Sequence, residues 1–128
     1  RMNQWISVAM TRFDPDIIRN FVIPMFFADD VKRHDPAFTT RMNEMTDRIR
    51  HDLSVLDAAY GDGWVCGDRF TIPDMMIMPM IHYLNAMPGG PEMLASAPNV
   101  EDAFARFKAR SSAAQTDPLL PEKLLKSA

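Results

Sequence analysis

The stretch GDRFTIPDMMIMPM, residues 67–80, decides the fold. It opens with loop residues, then sets Thr71 and Asp74 three apart, then runs into an apolar segment holding four methionines and a proline. With Thr71 as N-cap, Ile72, Pro73 and Asp74 become the first three helical positions. The Thr71 hydroxyl can then accept from the Asp74 amide while the Asp74 carboxylate reaches back to the Thr71 amide, the reciprocal arrangement of a capping box. Pro73 costs little there, because the amide it lacks has no intrahelical partner in a first turn. Phe70 before the cap and Met75 four positions into the helix have the spacing of a hydrophobic staple. Met75, Met76, Ile77, Met78, Met80, Ile81, Tyr83 and Leu84 make the helix apolar on every face, the pattern of a central helix covered on all sides. Pro79 should bend it by freeing the Met75 carbonyl.

Outward from this segment, apolar residues recur at helical spacing, and no run of four or more alternates cleanly enough for a half-buried strand. Upstream, Phe38, Met42, Met45, Ile49, Leu53, Leu56 and Tyr60 form one stripe of a long helix, capped by Asp35-Pro36 and stopped by Gly61. Arg41, Glu44, Asp47, Arg48 and Asp52 fall on its opposite, solvated face. Met2 to about Ala28 reads as helix, with a bend or restart expected at Asp14-Pro15. Downstream, Met87-Pro88-Gly89-Gly90 ends the apolar helix, a short turn spans Pro91 to Ala95, and Pro98-Asn99 opens another helix. That helix turns Val100, Ala103, Phe104 and Phe107 inward, while Asp117-Pro118 and Pro121 break the tail into a weakly amphipathic piece. The fold class is therefore all-α, a bundle of about five main helices around a central buried one starting near Thr71.

The 128 residues fit a single domain, residues 1–128, long enough to bury a real core. With 47% hydrophobic and 24% charged residues the composition is that of an ordinary globular protein. A net charge of -3 and the lack of a Lys/Arg stripe exclude nucleic acid as an expected partner. The longest uncharged run, Met75 to Pro91, is short for a bilayer span and is broken by glycines and prolines, so no membrane helix is expected. One cysteine, Cys66, permits no internal disulfide, and this points to a reducing, cytoplasmic setting.

The segment WVCGDRFTIPDMMIMPMIHYL resembles the part of glutathione transferases in which a Trp, a Gly-Asp pair and an aromatic precede a Ser/Thr-x-x-Asp box at the central helix of the C-terminal domain. Here these are Trp64, Gly67, Asp68, Phe70, Thr71 and Asp74, with Pro73 where the family usually has Ala. MNQWISV, residues 2–8, is similar to the start of that domain's first helix, and PNVEDAFARFKARSSAAQ, residues 98–115, resembles its late helix, with Ser111-Ser112 departing from the family's Arg-Pro-Ala end. The resemblance implies the C-terminal helical half of a longer glutathione S-transferase, whose thioredoxin-like N-terminal domain, absent from this chain, activates glutathione. The intact parent would conjugate glutathione, as co-substrate, to hydrophobic electrophilic small molecules. This half would supply a wall of the substrate pocket and homodimer contacts, with no catalytic residue and no transferase activity of its own.

By that resemblance Met10 and Phe13 are the candidate apolar wall, with Thr11 and Arg12 as polar contacts at the pocket mouth. The competing assignment makes Met10 and Phe13 bundle core and Arg12 a solvated charge, since helical spacing does not separate a pocket face from a core face. His82 and Tyr83 read as packed, hydrogen-bonded residues rather than an acid/base pair. Asp30 with His34 and Asp47 with His51 have i, i+4 spacing but no evident third ligand, so no metal site is expected. Cys66 has no sequence-adjacent His to activate it and reads as structural. Two further classes remain: a non-catalytic transferase-like module that docks proteins, and a free-standing bundle that binds apolar ligands through methionine-rich surfaces.

Overall fold

In a computed structural model, which describes residues 2–61 and 63–110, the described residues form helices joined by loops, with no strand among them. The helices are α1 (Met2–Val8), a π-wound segment (Ala9–Val22), α2 (Ile23–Phe27), α3 (Asp30–Arg33), α4 (Pro36–Tyr60), α5 (Ile72–Asn85), α6 (Gly90–Ala95) and α7 (Pro98–Ala109). The tail expected beyond Arg110, including Ser111-Ser112, lies outside the described residues.

The first helical run does not break at Asp14-Pro15. It passes through both residues in the wider π winding, which ends with the Ile23 amide donating to the Ile18 carbonyl, five residues back. A ladder of that reach absorbs the missing proline amide without a restart. Phe13, Ile17 and Phe21 face inward from this run and are at most 2% exposed.

Every member of the α4 stripe, from Phe38 to Tyr60, is buried as the spacing requires. Asp35 sits at the N-cap without a side-chain cap hydrogen bond, and the first turn closes through Thr39 N donating to the Asp35 carbonyl at 3.0 Å. Gly61 ends the helix with φ of +43°, a backbone setting that strains any residue with a Cβ. Asp52, expected on the solvated face, is instead 1% exposed, because the π-wound segment packs over that edge of α4.

The box at Thr71 is built around a buried carboxylate. Asp74 is fully buried, and its Oδ2 accepts from the Thr71 amide at 2.9 Å and from the Thr71 hydroxyl at 3.1 Å. Its Oδ1 accepts from the Val65 amide at 3.1 Å, so the same side chain that caps α5 also ties down the loop before it. Trp64 and Gly67 close that loop with a pair of backbone hydrogen bonds. Phe70 turns toward Trp64, 4.9 Å between ring centres, and toward Phe107 at 6.0 Å. Met75 is 55% exposed and outside the core cluster, so these rings, not Met75, are the apolar partners of Phe70.

Helix α5 runs unbroken through Pro79 and packs against α1, the π-wound segment, α6 and α7. Ile77, Met78, Met80, Ile81 and Leu84 are buried, but Ile72 and Met75 stand out in solvent, so the helix is central along most of its length and uncovered on one side of its first turn. No described helix is long and apolar enough to cross a membrane.

Candidate functional site

A cleft of about 560 Å³ opens where the π-wound segment crosses α4. Thr11, Arg12 and Asp16 line it from the first element, and Asp47, Arg48, His51 and Asp52 from the second. Their positions follow from helical geometry: Arg12 and Asp16 are four apart, as are Asp47 and His51, and Arg48 and Asp52, so each set shares one face of its helix. Every lining side chain is polar or charged.

Burial sorts these groups into a floor and a rim. Asp52 and Asp16 are 1% and 6% exposed and form the floor, while Thr11, Asp47, Arg48 and His51 are exposed. Arg12 Nε donates to Asp52 Oδ1 at 2.7 Å, a charge-assisted bond joining the two elements. Arg48 Nε stays 3.9 Å from Asp16 Oδ1 and remains largely in water. Among the described residues, no N–H or hydroxyl donates to the buried Asp52 Oδ2. The Asp52 carboxyl is pushed from its ordinary 3.8 up to about 7, first by loss of water, then by hydrogen bonding to Asp16 and by its negative charge, with Arg12 pulling the other way.

Of the four residues assigned to a pocket wall, the structure brings only Thr11 and Arg12 to the cleft. Phe13 is fully buried in the bundle core, and Met10 is 59% exposed outside the cleft. The Thr11 hydroxyl donates to the Ser7 carbonyl one turn back, at 2.7 Å. Asp16 and Asp52 were invisible as a pair because they lie 36 positions apart in sequence (52 − 16) and meet only when two helices cross. The one local signal was that each is flanked by a buried apolar residue, Ile17 and Leu53, at the edge of its stripe.

Elsewhere, His82 lies against Tyr83 and Phe104 with ring centres 5.6 and 6.2 Å away, the packed setting expected for it. Cys66 is a partly buried free thiol. Tyr60 is 1% exposed, and burial, followed by the charge of Asp74, drives its hydroxyl well above the ordinary tyrosine range. A smaller cleft of about 270 Å³ is lined in part by Met25, Phe38 and Met42 and is the more apolar of the two. Among the described residues, no group of three or more His, Cys, Asp or Glu is placed to hold a metal ion.

The sequence profile described as "Glutathione S-transferase, C-terminal domain" matches residues 16–115. Comparison with curated proteins and with solved structures gives no significant match. That profile spans the crossing of the first helical run with α4, the buried box at Thr71 and Asp74, and all of α5 to α7, and on this extent the chain belongs to the glutathione S-transferase C-terminal domain family.

Proposed function

We propose that this chain is the helical half of a cytoplasmic glutathione transferase, whose complete form joins the glutathione sulfur to an electrophilic apolar small molecule. A thioredoxin-like domain outside this chain would bind glutathione and take its thiol proton. The thiolate would then form a carbon–sulfur bond as the leaving group departs. Family membership over residues 16–115 is the observation that carries this reading. It is supported by the uncovered apolar groups at the first turn of α5, Ile72 and Met75, and by the exposed Met10, all of which suit contact with a further domain, a second subunit or a substrate. Met10, Thr11 and Arg12, all exposed, are the substrate contacts of this reading, and Phe13, buried in the bundle core, is not among them.

The test uses the full reading frame that encodes this chain. Glutathione conjugation to an activated aryl halide should be measurable, Met10→Ala should raise the KM for that acceptor, and the 128-residue segment alone should be inactive. A folded parent that neither binds nor consumes glutathione would overturn the reading. The polar lining of the large cleft favours one alternative, a non-catalytic module that docks proteins, and that outcome would select it.

A further inference from the structure

The floor of the cleft holds two buried carboxyl groups from two different helical elements, and among the described residues only one guanidinium, that of Arg12, donates a hydrogen bond to either. Arg12 satisfies Asp52 Oδ1; Arg48, at 3.9 Å and mostly hydrated, is a weak counter-charge for Asp16. Two adjacent carboxylates removed from water cannot both stay ionised cheaply, and a proton held by one of them removes the excess charge. The buried Asp52 Oδ2 receives no hydrogen bond from an N–H or hydroxyl of the described residues. Protonation turns the Asp52 carboxyl into a donor, and Asp16 is the hydrogen-bonding neighbour available to it.

We propose that Asp16 and Asp52 form a proton-holding latch that fastens the π-wound segment to α4 and lets the cleft between them loosen when the proton is lost. Among the described residues, the charged or titratable groups lining the cleft come from these two elements: Arg12 and Asp16 from the first, Asp47, Arg48 and His51 beside Asp52 from the second. With the proton on Asp52, the remaining negative charge is that of Asp16, with Arg48 3.9 Å away, Asp52 Oδ1 still accepts from Arg12, and the joint is closed. Without it, two like charges share the floor and repel. The folded chain holds this proton up to about pH 7, whereas the unfolded chain releases it near 3.8. The latch's contribution to stability is therefore complete below about pH 4 and is lost as pH rises through 7.

Carbon-detected NMR of aspartate carboxyls in the wild-type chain tests this without any substitution. Asp52 should titrate with a midpoint near 7, and in Asp16→Asn that midpoint should fall. Across the same pH range, amide exchange in the segment around Asp16, corrected for intrinsic rates, should show extra opening in the wild type and none in Asp52→Asn, which mimics the protonated form. An Asp52 midpoint near 3.8 would overturn the latch, as would wild-type opening that does not change with pH.

Discussion

Replacing Asp74 by alanine should cost far more than losing a helix cap. The carboxylate accepts three hydrogen bonds, two from Thr71 and one from the Val65 amide. Loss of the capping arm alone is worth about 1 kcal/mol. The Val65 amide, in a residue that is fully buried, is left without a partner, and an orphaned buried donor costs roughly 1–3 kcal/mol. The sum is about 3 kcal/mol, or a fall in Tm of about 12 °C for a domain of this length. Urea denaturation followed by far-UV circular dichroism reads it directly, with Thr71→Ala as the comparison, expected to lose only about 1 kcal/mol. Equal midpoints for the two variants would show that the bond to Val65 contributes nothing. The account of α5 as a helix anchored to its own preceding loop would then fail.

Phe13→Ala should destabilise the chain by about 3–5 kcal/mol, whereas Met10→Ala should stay within about 0.5 kcal/mol, and thermal unfolding of both separates core from surface on one helix. Gly90→Ala places a Cβ 1.8 Å from the Leu84 carbonyl oxygen, so it should give little soluble folded protein in an expression trial. Asp57→Ala removes the acceptor for the Asn99 and Val100 amides and should lower stability by about 1–2 kcal/mol, seen as a reduced urea midpoint at unchanged slope.

The contrast between Thr71 and Asp52 explains what the sequence made legible. Thr71, Asp74 and the α4 stripe were readable because capping and helical spacing are local, with the decisive partners three or four residues away. The all-helical class was legible for the same reason, since apolar residues recurring three and four apart are a local pattern. Asp52 reads as solvated because it follows Arg48 by one helical turn on a charged face, and the crossing of the first helical run buries it. Spacing is equally silent on Phe13 and Met10: they share one helix, and which of them meets solvent is set by the rotation of the whole run, including its π winding. Phe70 shows the intermediate case, a residue correctly placed before the cap whose partners, Trp64 and Phe107, come from the loop and from α7 rather than from Met75.

The carboxylate of Asp57 sits on α4 yet holds the first amides of α7 at 2.7 and 3.3 Å, from residues 42 and 43 positions further along the chain. Helix α7 thus begins with Pro98 and borrows its terminus from another part of the chain, while Ala97 at its own cap position offers no side-chain acceptor. Such a helix has little reason to persist alone, so a peptide covering only 98–109 should be largely coil, and α7 should gain protection from exchange at the same moment as the C-terminal turns of α4.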